Sequence, residues 1–300
     1  MLKIERILCP VDFFEASAKA YDYAYSLSLR YGAKLYVEHV IDVLASVSPY
    51  HNFPDLAANN IYWDMSKGAD ERLHKMVKDH AVDGIQAEMV VHKGFVPDSI
   101  LSFAQDQHAD LIVMGTHGRR GLDRLVMGSV TEHVLRRARC PVLAVRRPSH
   151  DFVNPEQPEE PVHLRKILLC TDFSKCAGTA LKYALSLAQE YNAELTLLHV
   201  LEVFPEYKAN MVMEEARRKL EVLVPADARN WCTVKTAARI GKPYEEIIQA
   251  AVEQQTDVAI LGVRGRNAAD LAIFGSTTYR VLQLGPCPVL AVQEDVNEKT

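Results

Sequence analysis

The sequence predicts an α/β fold made of two tandem, doubly wound domains, each with a mainly parallel five-stranded sheet of the Rossmann-like type. Three observations support this expectation. The chain contains an internal duplication, short apolar runs alternate with amphipathic segments, and a length of 300 residues suits two domains of ordinary size. Strands that alternate with helices favour right-handed crossovers and a parallel sheet that is covered on both faces.

The duplication covers most of the chain. Residues 6–40 align with residues 166–200 at an offset of 160, and from Gly94 and Gly241 onward the offset is 147. The first copy therefore carries 13 more residues than the second, at some point between Val40 and Gly94. A repeat of this length indicates a duplicated domain rather than a solenoid.

A linker is predicted between the two copies. Residues 148–162 contain four prolines and three glutamates and cannot sustain a helix or a strand, so they predict a semi-stiff, solvated connection. The predicted domains are therefore residues 1–147 and residues 163–300.

Each copy begins with a short apolar strand, RILCPV or KILLCT, and a segment with apolar positions at helical spacing follows it. Later strands are predicted in pairs, one from each copy: KLYVEHV and ELTLLHV, AEMVVH and CTVKTAA, DLIVMG and DVAILG, and PVLAVR and PVLAVQ. The two PVLAV strands are expected at sheet edges, where unpaired amides can accept another strand.

Composition and charge exclude several classes of function. The net charge of −5 provides no basic face for nucleic acid. Lys3, Glu5 and Arg6 interrupt any signal-peptide core, and no run of eighteen apolar residues occurs, so we expect a cytoplasmic protein without membrane insertion. The six cysteines form no CxxC pair, and neither a metal site nor a redox motif is expected.

A glycine pattern occurs twice, in residues 114–134 and residues 261–281. Each stretch has a glycine, a second glycine three positions later, and a Gly-Ser pair ten positions after that. Glycines at such spacing let backbone amides approach a phosphate closely, although a tight strand exit would use them too. Neither first strand is followed by a P-loop or a GxGxxG motif, which argues against P-loop NTPases and dinucleotide enzymes.

The Gly-Ser pair of each pattern is expected to open a helix. Ser129 and Glu132 have capping-box spacing, so this helix should present free amides and its positive dipole end to an anion. The second copy lacks the glutamate, and there Ser276 also fits a plain N-cap.

These motifs together resemble the ATP-binding class of the universal stress protein family. The resemblance rests on G-x2-G-x9-G-[ST] after a buried strand, on a first strand followed by Asp-Phe, and on the terminal CPVLAV strand, and it covers nearly the whole chain. It implies two HUP-type α/β/α sandwiches and ATP, with Mg²⁺, as the ligand. It also implies an intramolecular pseudo-dimer through the last strands, and it leaves a homodimer open.

The resemblance also implies site residues. The adenine pocket would surround Pro10, Asp12 and Val40, the ribose would contact Met114 and Gly115, and the phosphates would lie at Gly118, Gly128, Ser129 and Val130. The matching second-copy positions are Cys170, Asp172, Val200, Leu261, Gly262, Gly265, Gly275, Ser276 and Thr277. Two departures are Cys170, where the first copy has Pro10, and Phe14, where the second copy has Ser174.

Other polar residues allow more than one interpretation. Basic residues beside the first motif, Arg119 among them, could pair with the β- and γ-phosphates or could belong to a solvated loop. Asp12 and Asp172 could bind a metal, but a carboxylate at a strand end more often caps the next helix or binds a base or ribose. His39 and His199 are expected to be hydrogen-bonded interior residues.

An aromatic-rich segment of the first copy, residues 41–65, could form a lid or a partner surface. A longer packed helical hairpin is the interpretation that we prefer for it.

Three functions remain open at this point. The first is a cytoplasmic ATP-binding stress protein that acts as a nucleotide-dependent response or signalling module. The second is a slow ATPase or an adenylyl- or phosphoryl-transfer enzyme, for which the sequence supplies no positioned general base and no lysine cradle. The third is a nucleotide-free interaction scaffold, which would be expected to have broken glycine motifs.

Overall fold

The computed structural model describes residues 3–42, 55–79, 87–116, 127–146, 151–154, 156–157, 160–202, 209–263 and 275–294. Strands and helices alternate along both repeats, as predicted, and most neighbouring strands are parallel.

The first repeat provides five strands and four helices in the described residues. They are β1 (Arg6–Pro10), α1 (Glu15–Tyr31), β2 (Lys34–Asp42), α2 (Asp55–Asp79), β3 (Ala87–Gly94), α3 (Val96–Asp106), β4 (Leu111–Gly115), α4 (Ser129–Arg137) and β5 (Val142–Val145).

The second repeat has the same order of elements, with a short 3₁₀ helix added before its third strand. They are β6 (Lys166–Cys170), α5 (Lys175–Tyr191), β7 (Glu194–Leu201), α6 (Ala209–Leu223), the 3₁₀ turn Ala228–Asn230, β8 (Val234–Ile240), α7 (Pro243–Gln254), β9 (Val258–Gly262), α8 (Ser276–Leu284) and β10 (Val289–Val292).

Contacts divide the chain into two compact units whose limits differ from those of the sequence repeats. The first unit comprises Ile4–Arg139 and Val153–Val162, and the second comprises Met1–Lys3, Cys140–Phe152 and His163–Thr300. Strand β5 belongs to the first repeat by sequence, but it lies in the second unit because it pairs with β10.

The sheet of the first unit has the order β3-β2-β1-β4, and its strands are parallel. Ile7 of β1 is in register with Leu35 of β2 on one side and with Leu111 of β4 on the other. These three side chains are almost completely buried. The chain adds β2 and β3 on one side of β1 and then places β4 on the other side. The strand order therefore reverses between β1 and β4.

The sheet of the second unit repeats this order and then continues. Its strands run β8-β7-β6-β9-β10-β5, and only β5 is antiparallel to its neighbour. Leu143 of β5 lies opposite Leu290 of β10. The two PVLAV strands therefore pair with each other, as expected for two edges with free amides.

A single aspartate precedes the buried fourth strand of each repeat. One carboxylate oxygen of Asp110 accepts hydrogen bonds from the amides of Glu5 and Arg6, at 2.8 and 2.9 Å. Asp257 does the same for Arg165 and Lys166, both at 2.7 Å. These bonds satisfy the first amides of β1 and β6 and explain why an acidic residue opens an otherwise apolar strand.

The aromatic-rich segment is only partly described, because residues 43–54 lie outside the described residues. The described part is one helix, α2, which has 25 residues where its counterpart α6 has 15. Part of the 13-residue insertion is therefore helical, and Ala69 and Leu73 of α2 are buried.

All six cysteines are unbridged, and all but Cys140 are buried. Burial raises the pKa of Cys287 to about 12, which favours the neutral thiol. Within the described ranges no helix is long and apolar enough to cross a membrane.

Candidate functional site

The carboxyl end of β1 continues into a strained turn at Asp12 and Phe13. Phe13 has a φ of 65°, a left-handed conformation that is uncommon for a bulky residue. Asp12 supports it, because its Oδ1 accepts hydrogen bonds from the Phe14 amide at 3.0 Å and from the Ser17 hydroxyl at 2.6 Å. The carboxylate thus holds the turn into α1, whereas the sequence favoured either a cap of the next helix or a contact with a base or ribose.

The second repeat builds the same turn. Phe173 has a φ of 62°, and Asp172 Oδ1 accepts the Ser174 amide at 3.0 Å. Ser174 then caps α5 by accepting a hydrogen bond from the Ala177 amide. In the first repeat Phe14 provides no side-chain cap for α1. The Ser17 hydroxyl instead donates to Asp12 Oδ1 and lies within hydrogen-bond distance of the Phe14 carbonyl, which links the first turn of α1 to the preceding turn.

The strand histidines support these turns and are hydrogen-bonded interior residues, as predicted. His39 Nδ1 lies 2.8 Å from the Val11 carbonyl oxygen, and His199 Nδ1 lies 2.7 Å from the Thr171 carbonyl oxygen. Since a carbonyl only accepts, both Nδ1 atoms carry the proton. Each imidazole also contacts the phenylalanine of its turn, with ring centroids 4.5 Å apart.

Gly115 is the last residue of β4, and the start of α1 packs closely against it. A Cβ atom at Gly115 would lie 2.7 Å from the backbone carbonyl carbon and oxygen of Ala16. At Gly262 of the second repeat, a Cβ would lie 3.1 Å from the Cys176 backbone. The first glycine of each motif therefore lets a helix start pack against the end of a strand.

Helix α4 begins one residue earlier than the capping-box interpretation requires. Its N-cap is Gly128, Ser129 is the first helical residue, and the Ser129 side chain is exposed. Glu132 forms an ion pair with Arg136 at 2.6 Å. The capping-box prediction is therefore wrong, and Gly275 likewise replaces Ser276 as the N-cap of α8. Neither N-cap provides a side-chain hydrogen bond to the first turn.

Two hydrogen bonds attach each of these helix starts to the preceding strand. The Gly128 amide donates to the Thr116 carbonyl at 2.8 Å, and the buried Thr131 hydroxyl donates to the Gly115 carbonyl at 2.8 Å. The second repeat has both bonds. The Gly275 amide donates to the Val263 carbonyl at 3.0 Å, and the Thr278 hydroxyl donates to the Gly262 carbonyl at 2.9 Å. The free-amide end of each helix is thereby fixed at the carboxyl end of the sheet.

The structure places the described site residues at these strand ends and helix starts. Pro10 and Cys170 end β1 and β6, Val40 and Val200 lie near the ends of β2 and β7, and Met114, Gly115, Leu261 and Gly262 end β4 and β9. Ser129, Val130, Ser276 and Thr277 form the first turns of α4 and α8. Gly118, Arg119 and Gly265 lie outside the described residues.

Hydrogen bonds and close contacts connect these positions within each unit. The Val11 amide donates to the Glu38 carbonyl at 2.8 Å and so joins the end of β1 to β2. Gly115 joins the end of β4 both to α1 and to α4. The predicted residues of β1, β2, β4 and α4 therefore share one edge of the sheet, where parallel α/β folds bind ligands.

Some residues at this edge were not identified from the sequence. Thr131 and Thr278 are one such pair, although their recurrence at the offset of 147 was a signal that could have revealed them. Arg72 of α2 is another, with its guanidinium carbon 4.1 Å from the centre of the Phe13 ring. Glu38 and His92, which contact each other, are a third case, and no local sequence motif predicts their contact.

Comparison with known proteins gives consistent results. The family model described as the universal stress protein family matches residues 3–146 and 163–293. A universal stress protein of Methanocaldococcus jannaschii is 32% identical over 148 residues, which are 49% of this chain and 85% of that protein. One of Thermus aquaticus is 35% identical over 135 residues, which are 43% of this chain and 98% of that protein.

A solved structure shows the same fold over the full length. The crystal structure of a universal stress protein from Archaeoglobus fulgidus aligns with a TM-score of 0.74 at 24% identity, and the alignment covers 98% of this chain and 97% of that chain. With both repeats matched by the family model, the chain belongs to the universal stress protein family.

Proposed function

We propose that this protein is a cytoplasmic ATP-binding module of the stress response, and that nucleotide occupancy sets its conformation or its partner binding. Membership of the family supports the stress-response role. One observation carries the nucleotide proposal: α4 and α8 each begin with a glycine N-cap that offers no side-chain capping group. Both helix starts are tied to the sheet edge by the threonine hydrogen bonds.

An uncapped helix start attracts anions for two reasons. Its first amides have no partner within the helix, and the aligned peptide dipoles place partial positive charge there. Phosphate oxygens satisfy both needs, and the side chains of Ser129 and Ser276 are exposed beside them. Each helix start therefore fits a phosphate group.

Magnesium would be held mainly by the phosphate oxygens. Within the described residues, no group of three or more His, Cys, Asp or Glu side chains could hold a metal ion. Asp12 Oδ1 is engaged by an amide and a hydroxyl of its own turn. Mg²⁺ commonly keeps several waters and binds through substrate phosphates, which is the arrangement proposed for this site.

The base and ribose would lie across the ends of β1, β2 and β4. Pro10, Asp12 and Val40 would border the adenine, and Met114 and Gly115 would border the ribose. Val40 and Met114 are buried and apolar, which suits a flat heterocycle better than a charged group. The corresponding second site would use Cys170, Asp172, Val200, Leu261 and Gly262.

Catalytic turnover is not part of the proposal. Hydrolysis or group transfer needs a positioned base, and the aspartates at the two strand ends instead support their own turns. We also propose that the repeats associate as an intramolecular pseudo-dimer, which the pairing of β5 with β10 supports.

Substitution of the N-cap glycine tests the phosphate site. Gly128 has φ −64° and ψ 140°, which any residue can adopt, and aspartate is a preferred N-cap. Gly128→Asp should therefore fold, while its own carboxylate occupies the anion site and repels phosphate. We expect calorimetric titration with Mg-ATP to lose one site per chain, and Gly275→Asp to lose the other.

Gly128→Asn is the matched control, because asparagine also caps a helix but carries no charge. It should bind ATP at least about tenfold more tightly than Gly128→Asp does, a difference of about 1.4 kcal/mol in binding free energy. Unchanged ATP affinity in a folded Gly128→Asp protein would overturn the phosphate assignment.

A further inference from the structure

Arg72 of α2 stacks on the phenylalanine of the first aspartate turn. Its side chain is exposed, and its guanidinium carbon lies 4.1 Å from the centre of the Phe13 ring. Arg72 forms no ion pair with any described residue, although Asp70 and Glu71 precede it in the same helix. A guanidinium is attracted to the face of an aromatic ring by the ring quadrupole. The contact therefore joins α2 to the turn through Phe13.

Phe13 also contacts the strands at the proposed nucleotide site. Its left-handed φ of 65° is supported by Asp12, whose Oδ1 accepts the next amide at 3.0 Å. Its ring meets the imidazole of His39 with centroids 4.5 Å apart, and His39 precedes Val40 in β2. Asp12 and Val40 are the residues proposed to border the base. Phe13 thus has neighbours both at the proposed site and on α2.

Helix α2 runs away from this site toward the opposite edge of the sheet. Because β2 and β3 are parallel, the chain must cross from the carboxyl end of β2 to the amino end of β3, and α2 lies on that crossing. Arg72 contacts the turn that follows the carboxyl end of β1. The helical residues before it, 55–71, therefore lie at this edge or beyond it, over about 25 Å at the rise of an α-helix.

Burial along α2 agrees with this course. Ala69 and Leu73, on either side of Arg72, are buried, whereas Met65, one turn before Ala69, is 43% exposed. The helix therefore leaves the core near Ala69, and we call residues 55–68 the projecting part of α2. The counterpart α6 has 15 residues where α2 has 25, so an extension of this length belongs to the first repeat.

We propose that Arg72 is a positioning residue that couples nucleotide binding at the first site to the projecting part of α2. A nucleotide beside Asp12 fixes the turn, the turn fixes the Phe13 ring, and the ring holds the guanidinium of Arg72. Such coupling is reciprocal, so a molecule that binds the projecting part changes the ATP affinity of the first site by the same factor. This inference rests on the proposed nucleotide function and names the element that responds to occupancy of the first site.

Hydrogen exchange of the full chain, measured by mass spectrometry with and without saturating Mg-ATP, tests the coupling. We expect ATP to slow exchange in the projecting part about fivefold or more, the lower end of typical coupling between sites. Arg72→Gln keeps a polar side chain of similar helix propensity but removes the cation. It should still bind ATP at both sites, while the slowing falls to about twofold or less. Arg72→Lys keeps the charge without the planar group and should recover part of the effect.

Two variants serve as controls. Lys75→Gln removes the same charge from an exposed position of α2, three residues after Arg72, and should leave the effect of ATP unchanged. Gly128→Asp empties the first site and should abolish the slowing in α2, although the second site still binds ATP. A purely structural role of Arg72 would speed exchange in Arg72→Gln equally with and without ATP, so that their ratio stays as in the natural protein.

The outcomes distinguish the two proposals. If calorimetric titration detects no ATP binding to the natural chain, the nucleotide function fails, and the coupling fails with it. If ATP binds but exchange in the projecting part does not respond, the function stands and the coupling is refuted. The role of Arg72 is also refuted if ATP slows exchange equally in Arg72→Gln and in the natural protein.

Discussion

At the scale of single residues, the first glycine of each glycine motif has a structural role. Gly115 and Gly262 are required because a helix backbone packs directly against them. The N-cap glycines Gly128 and Gly275 have negative φ values, so their backbone conformations do not require glycine.

Gly115→Ala tests the close approach. The added Cβ would lie 2.7 Å from the Ala16 backbone, so α1 must shift, and we expect the free energy of unfolding to fall by about 1–3 kcal/mol in urea titration. Gly178→Ala in α5 is the control, because nothing lies within 4 Å of its added Cβ and alanine favours a helix. Equal stability of Gly115→Ala and the natural protein would contradict this packing.

The buried carboxylate of Glu38 predicts a pH dependence of stability. Burial raises its pKa above the ordinary 4.5, against the opposing hydrogen bond of His92. A raised pKa means that the stability is present below pH 4.5 and is lost as the pH rises through the folded-state pKa. Relative to Glu38→Leu, the natural protein should therefore lose unfolding free energy as the pH rises from 4.5 through the raised folded-state pKa of Glu38.

Urea titrations at several pH values measure this difference. Glu88→Leu is a suitable control, because Glu88 is half exposed and paired with Lys34 at the surface. That variant should show no such trend. A difference between Glu38→Leu and the natural protein that stays constant over this range would show that Glu38 ionises without a penalty.

At the scale of elements, the strands were predictable because each is a short apolar run bounded by polar residues. Because the sequence is duplicated, each strand could be predicted from two copies, and β1 to β5 recur as β6 to β10. The start of α4 was predicted one residue late, because a serine followed by a glutamate at capping-box spacing is a strong local signal. Tertiary hydrogen bonds from Thr131 and Gly128 to β4 set the actual start.

The candidate site was predictable to a different degree. Strand-end residues and glycines could be found because they follow local patterns and recur. The Glu38–His92 pair could not, because its partners are separated by 54 positions and meet only through the register of β2 and β3. The stacking of Arg72 on Phe13 depends in the same way on how α2 packs.

Thr131→Val tests how α4 is fixed to the sheet. The substitution removes the hydroxyl that donates to the Gly115 carbonyl, so a hydrogen bond of a buried side chain is lost at nearly constant volume. We expect a loss of about 1–2 kcal/mol in unfolding free energy and weaker ATP binding at the first site. Thr131→Ser retains the hydroxyl and should lose less. If both variants behave alike, the hydroxyl has no part in fixing the helix.

At the scale of the whole molecule, the duplication has produced two similar candidate sites with different surroundings. The strand ends, the aspartate turns and the helix starts recur in both repeats. The aromatic-rich insertion and the Glu38–His92 pair belong to the first repeat alone. The two sites are therefore expected to bind the same kind of ligand in different surroundings.

The number of ATP molecules bound per chain tests the central claim most directly. Native mass spectrometry of the full protein, combined with calorimetric titration with Mg-ATP, provides that number. We expect two ATP per chain in the natural protein, one in each single N-cap aspartate variant and none when Gly128→Asp and Gly275→Asp are combined. A folded natural protein that binds no ATP at millimolar concentration would contradict it.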